Sequence, residues 1–284
     1  MTDFPNKVHS PEPPKVRAFV GRFRLTGGNN ESLKPRPIPD PLAWNFPPAA
    51  NSVLPRRAAA AKPTRMSTTA PSSNYSAREE LIHSLSHGFG ALLSVAGLAV
   101  LVTLTALRGD AWRVVSTAIF GASLVFLYTS STLYHCIRAE SLKVLWRKID
   151  HAAIFVLIAG SYTPFLLVNL RGPWGWSLFG VVWGLAAVGL VLKFWFTGRF
   201  RFASTLIYLG MGWLVVVATR PLLAVVPSTG LWWLLAGGLC YTGGTVFYMW
   251  KSRRYHHAVW HGCVLAGSIC HFFAVFRSVV PPAA

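Results

Sequence analysis

The sequence predicts an all-α membrane protein, a bundle of seven transmembrane helices with the N-terminus in the cytoplasm and the C-terminus outside. Three observations carry this. The 284-residue chain is 53% hydrophobic but only 13% charged, with a mean hydropathy of +0.44, whereas a soluble domain is about 25% charged. From residue 83 onward it is a succession of apolar runs, each close to the roughly 20 residues that cross a hydrocarbon core. The basic residues gather before and between those runs rather than within them.

The chain divides near residue 79. Residues 1–78 hold Pro-rich, basic stretches such as SPEPPKVR and RRAAAAKPTR and no sustained apolar period. They read as a disordered tail, because such a composition buries too little apolar surface to offset the entropy of ordering. The tail has no apolar core of the kind a cleavable signal peptide needs, and Met66 is an alternative start. Its charge suits association with anionic lipid.

The seven spans follow in order at about 83–107, 113–135, 150–170, 174–196, 203–226, 230–250 and 257–280. The first begins with His83 and His87, four residues apart. The second ends on Ser131 and His135, and Asp150 opens the third. Pro164 lies mid-way along that third span, where it should kink the helix and leave Tyr162 and Thr163 to satisfy the freed backbone groups. The fourth and sixth carry GLAAVGL and GGLCYTGGT, whose small residues permit close helix contact, and begin with interfacial Trp174, Trp176, Trp232 and Trp233. The seventh opens with His257 and His261.

The orientation comes from loop charge. One side carries Arg138, Lys143, Arg147, Lys148, Lys193, Arg199, Arg201, Lys251, Arg253 and Arg254; the other has Arg108, Arg113, Arg171, Arg220 and Arg277. Twelve further Lys and Arg lie in the tail, so the first side is cytoplasmic. This is opposite to a G-protein-coupled receptor. The net charge of +18 is accounted for by the tail and loops, and no nucleic-acid partner is expected. The four cysteines show no CxxC spacing, which excludes a thiolate zinc site and a disulfide framework.

Ionisable groups at membrane depth are costly and mark function. Here they cluster at one end: His83, His87, Ser131, His135, Asp150, His257 and His261 all fall near the cytoplasmic ends of their spans. Two His one helical turn apart present both rings from one face, which suits zinc, and a third would leave a position open for water. Spacing alone leaves the choice among five histidines open. His151 and His256 are turned by about 100° from their neighbours and read as exposed or loop-facing. His271 lies two to three turns deeper and reads as a hydrogen-bonded packing residue.

The run SSTLYHCIRAESLKVLWRKIDHAAIFVLIAGSYTPFLLV, with HHAVWHGCVLAGSICHFFAVF and EELIHSLSHGFGALL, resembles the hemolysin III family. That family belongs with the progestin and adipoQ receptors and, more distantly, the alkaline ceramidases. The resemblance covers about residues 79–280. It implies a seven-helix bundle in which zinc near the cytoplasmic face is held by His135, His257 and His261, with Asp150 and Ser131 contacting a water. It also implies metal-dependent hydrolysis of a lipid amide or ester. The family motif of the first span has Asn or similar where this chain has His83, which opens a second or competing metal contact.

Three functional classes follow. The first is a zinc-dependent hydrolase with Asp150 as proton acceptor and Ser131 orienting the water. The second is a non-catalytic membrane-homeostasis protein with structural zinc. The third is a membrane-permeabilising protein, disfavoured by the lack of a secretion signal. The partners expected are membrane lipids, and the location a bacterial plasma membrane.

Overall fold

The computed structural model describes residues 75–197 and 199–282. The reading of the tail therefore lies, except for its last four residues, outside the described residues. Ser76 begins the folded part: its hydroxyl accepts from the Glu79 amide at 3.3 Å while the Glu79 carboxylate accepts the Ser76 amide at 2.9 Å. This reciprocal capping box satisfies two otherwise orphaned donors and starts α1, Ala77–Arg108. Helix α2, Ala111–Cys136, is capped by Asp110, whose carboxylate accepts the Arg113 amide and pairs with the Arg113 guanidinium. That amide hydrogen bond holds the Asp110 carboxyl below the usual carboxylate range.

Helix α3, Glu140–Pro164, begins ten residues before the predicted span, so Asp150 lies well inside the helix instead of opening it. The extension ESLKVLWRKI is charged on one face and is invisible to an apolar-run criterion, yet it is helical by propensity and packing. Pro164 ends α3, and the chain continues as a π-helical turn over Phe165–Asn169. Gly172, with φ of 145°, takes a backbone conformation that a side chain would disfavour. There the chain turns into α4, Pro173–Phe196, whose Pro stands at a first-turn position with no amide to lose.

The fifth predicted span is broken. Helix α5 covers Arg201–Gly212, a 3₁₀ turn follows over Leu214–Ala218, and α6 covers Thr219–Val225. The break is satisfied from another helix: the Tyr162 hydroxyl of α3 accepts the Val215 amide at 2.9 Å and lies 2.9 and 2.7 Å from the Met211 and Gly212 carbonyls. Tyr162 thus serves α5, not the Pro164 kink as predicted, because α3 passes closest where α5 loses its helical bonds. Thr163 does stay local, donating to the Ala159 carbonyl at 2.9 Å. Helices α7, Ser228–Met249, and α8, His256–Ser278, complete the chain.

Among the described residues all regular structure is helical. Six segments are long and apolar enough to cross a membrane: α1, α2, α3 with its π turn, α4, α5 through α6, and α8. Helix α7 matches them in length, but Gly, Tyr, Thr and Trp hold its hydropathy below theirs. Sequence neighbours pack side by side, α1 on α2, α2 on α3, α3 on α4 and α7 on α8, and α8 returns to α1. Outward faces carry Leu92, Leu107, Trp195 and Trp232 at 70% exposure or more, as lipid contact requires. Close approach comes from small residues: a Cβ at Gly237 of α7 would fall 2.2 Å from the His271 ring of α8.

Lys193, counted among the loop charges, lies within α4 as the 174–196 span has it, and is 6% exposed, with its Nζ donating to Ser204 Oγ at 2.8 Å.

Candidate metal centre

The histidine-bearing ends of α1, α2 and α8 converge. His83 and His87 share one face of α1, His257 and His261 one face of α8, and His135 ends α2. His83, His87, His135 and His261 are each at most 4% exposed. One nitrogen each from His83, His135 and His257 lies within 4.8 Å of the other two, a grouping that could hold a metal ion. The His261 ring is not one of that nitrogen trio but lies against it, its centre 4.6 Å from that of His257 and 5.2 Å from that of His135. It also stacks on His87, with centres 3.5 Å apart and planes 10° from parallel. The five candidates of the sequence are therefore one cluster, with His87 behind His261.

Neighbouring groups fix the tautomers. His135 Nδ1 donates to Glu80 Oε2 at 2.6 Å, and Glu80 Oε1 is held in turn by Lys143 Nζ at 2.9 Å. That leaves the lone pair of His135 on Nε2, which is buried and has no partner. Ser86 donates its one hydroxyl proton to the His83 carbonyl at 2.9 Å, so at 3.0 Å it accepts from His261 Nδ1 and leaves that lone pair on Nε2 as well. A carboxylate or hydroxyl behind a ligating imidazole is the usual outer support of a metal site.

The donor set fits a cation. Both nitrogens of His83, both of His87, Nε2 of His135 and Nδ1 of His257 are buried without a hydrogen-bond partner. Buried unpaired polar atoms are costly and rare, and three of these residues, His83, His135 and His257, form the grouping that could hold an ion.

Tyr75 and Tyr255 were not singled out in the sequence, and Glu79 and Glu80 were noted only as neighbours of His83 and His87. Tyr75 lies edge-on to His83 at 4.8 Å and stacks on His257 at 5.2 Å, and burial pushes its phenol up to about 12. Glu79, besides capping α1, accepts the Tyr255 amide at 3.3 Å. Tyr255 has φ of 58°, a left-handed conformation unusual for a side chain this large, and it immediately precedes α8. Glu79 thereby ties the starts of α1 and α8 together. The signal that could have found the pair was their acidic EE step one turn before His83.

Ser131 and His135 both act on the Asp150 carboxyl, the hydroxyl as a hydrogen-bonding group and the imidazole through its charge. Asp150 Oδ2 also lies 3.6 Å from His151 Nδ1. His151 is half-buried and donates from Nδ1 to the Arg147 carbonyl at 2.8 Å. His256 corrects the expectation of exposure. It is buried and donates to the Phe247 carbonyl at 3.0 Å, because the end of α7 needs that acceptor satisfied. His271 packs edge-on to Tyr241 with centres 5.3 Å apart.

A cavity of about 520 Å³ opens between α3, α5, α6 and α7, and a second of about 120 Å³ continues from it. They share Ser161, Tyr162, Gly212, Trp213, Gly238 and His271. The smaller one reaches Tyr208, Tyr248 and Trp260, and the Tyr248 ring lies 6.3 Å from that of His257. The Tyr208 hydroxyl donates to the His151 carbonyl at 2.9 Å, so the cavity ends next to the polar cluster.

The fold and the site together define a multi-pass helical membrane protein with a buried histidine centre that could bind metal. Residues 75–272 match the family model "Haemolysin-III related", and the chain belongs to that family. It is 47% identical over 201 residues to the hemolysin-3 homolog of Bacillus subtilis (strain 168), covering 71% of this chain and 94% of that one. It is 44% identical over 206 residues to hemolysin-3 of Bacillus cereus, covering 72% and 94%. A more distant similarity, 27% over 210 residues with 70% and 84% covered, is to the human monocyte to macrophage differentiation factor.

Proposed function

We propose that this chain is a zinc-dependent hydrolase of the plasma membrane, acting on a lipid amide or ester. It crosses the membrane seven times, with its N-terminus in the cytoplasm. The loop charges support that orientation, and the length of α7 and its packing on α8 support the seventh crossing. The observation that carries the reading is the set of buried, unpartnered imidazole nitrogens near the inner end of an apolar cavity, a space suited to an acyl chain.

His135, His257 and His261 would hold the ion. A bound zinc would supply Lewis acidity, polarising a carbonyl and making a water acidic near neutral pH. Asp150 accepts a proton on its carboxylate, and Ser131, bonded to that carboxylate, orients the attacking water. Glu80 and Ser86 keep two of the rings in the ligating tautomer. Trp213, Tyr162 and Leu231 line the cavity that excludes water from the chain of the lipid.

Asp150→Asn should keep its metal and lose turnover of a lipid amide or ester by at least about a hundredfold, the usual contribution of a positioned proton acceptor. Equal turnover in wild type and variant, across ceramide, acyl-ester and lysolipid substrates in nanodiscs, overturns the reading. A structural role is the second reading, favoured by the fact that the ligands come from α2 and α8 while Glu80 adds α1. It predicts that ligand variants fail to insert or unfold and that no product is found in wild type.

A further inference from the structure

The rings of His83, His135, His257 and His261 stand at nearly equal separations. The six distances between their centres are 4.8 Å (His83 to His135), 4.8 Å (His83 to His257), 5.2 Å (His83 to His261), 5.4 Å (His135 to His257), 5.2 Å (His135 to His261) and 4.6 Å (His257 to His261). Four points equidistant in this way are the vertices of a tetrahedron. With metal–nitrogen bonds of about 2.0–2.1 Å and ring centres about 1.1 Å beyond each nitrogen, four imidazoles around a tetrahedral ion have centres about 5.2 Å apart. The cluster therefore has the size of a four-imidazole cage. His87 does not fit that cage, since its ring lies face to face with His261 at 3.5 Å.

We propose that His83 is a fourth metal ligand, so that the ion in this chain is held at rest by four imidazoles and is closed to water. The proposal rests on reading the cluster as a metal centre and goes beyond it in the ligand count. Four protein donors make a closed site, whereas three with a vacancy make an open one. His83 belongs to the nitrogen set drawn within 4.8 Å, and it is fully buried with neither nitrogen bonded.

The four rings differ in support. Glu80 anchors His135 and Ser86 anchors His261, but no hydrogen bond orients the His83 or the His257 ring, which are held by ring contacts with Tyr75 and each other. Ligands without outer support are the weakest of their set. A carbonyl substrate or a small anion reaches the ion by taking the place of one of these two, and with His83 present the centre is latched until it does.

The test uses the full chain with a non-histidine tag, loaded with Co²⁺, in wild type, His83→Asn and His83→Ala. Metal content, imidazole count by X-ray absorption and the visible spectrum with and without azide are read on each. Expected are about one metal per chain in wild type, four imidazoles and a spectrum unmoved by azide. Both variants should keep the metal, lose one imidazole and shift their spectra with azide. An azide-responsive wild type with three imidazoles, unchanged in both variants, overturns the proposal while leaving the metal centre standing. A well-folded wild type that binds no metal removes the metal centre and the proposal together. The two variants separate loss of a ligand from misfolding, since Asn keeps the volume and polarity that Ala gives up.

Discussion

The two parts of the bundle that flank α3 are built on opposite terms. Where α1, α2 and α8 meet, rings fill the space, and Glu80, Ser86, Lys143 and Glu79 fix their positions by hydrogen bonds across three or more helices. Where α3, α5, α6 and α7 meet, α5 breaks into a 3₁₀ turn and about 520 Å³ is left unfilled. The first region holds polar groups in one arrangement at the expense of burying them. The second gives up packing and helical continuity for an apolar space. The difference sets a hydrogen-bonded polar centre that could hold a metal beside an apolar cavity, and the proposed hydrolase would use the first for chemistry and the second for a chain.

The comparison is broken most severely by removing a ring. His135→Ala should lower bound zinc to below about a tenth of the wild-type content, since it removes the ring that Glu80 orients and leaves that half-buried carboxylate without its imidazole partner. Elemental analysis of the purified chain checks this, and metal content equal to wild type would mean that the rings are a polar core only. Next in size, Glu80→Gln keeps every ring but weakens the partner of His135 Nδ1 and releases Lys143. Metal affinity, measured by competition with a chelator, should fall about 10–100-fold.

In the compliant region, Tyr162→Phe leaves the Val215 amide and the Met211 and Gly212 carbonyls short of a partner. It should cost about 1–3 kcal/mol, seen as a lower apparent melting temperature, with metal content unchanged. A loss of metal in this variant would show that the two regions are coupled. The smallest effect belongs to the turn between α1 and α2, where Asp110→Ala removes an N-cap worth about 1 kcal/mol. Because the folded-state pKa of Asp110 is depressed by the Arg113 amide, its contribution is present above the ordinary carboxylate pKa and is lost as pH falls through the depressed one. Wild type should therefore lose melting temperature relative to Asp110→Ala on acidification below about pH 4, and parallel curves would contradict the assignment.

The apolar runs were legible because burial in lipid demands them, and each one became helical, the fifth in two pieces joined by a 3₁₀ turn. What they hid was helix beyond the lipid: α3 starts at Glu140 and α1 at Ala77, in stretches whose signal is capping and amphipathicity. The break in α5 was hidden as well. LIYLGMGWLVVVA is apolar throughout, and its interruption depends on Tyr162 reaching from α3, a contact that no local pattern encodes. In the site, the i, i+4 histidine pairs were readable because helical geometry fixes their face. Glu80 was not, since an acidic residue in a first turn is explained equally by the helix dipole, and only the fold brings it to His135. His256 was misjudged because a turn of about 100° from His257 points it toward the end of α7 and not toward solvent.

The most direct test of the central claim, that the histidine cluster is a metal centre, is the zinc content of the full wild-type chain. It is measured by elemental mass spectrometry after purification with a non-histidine tag and without added metal. About one zinc per chain, retained through extensive dialysis, is the result the account predicts. A monodisperse, well-folded chain without stoichiometric metal, and unable to take up zinc when it is supplied, would contradict it.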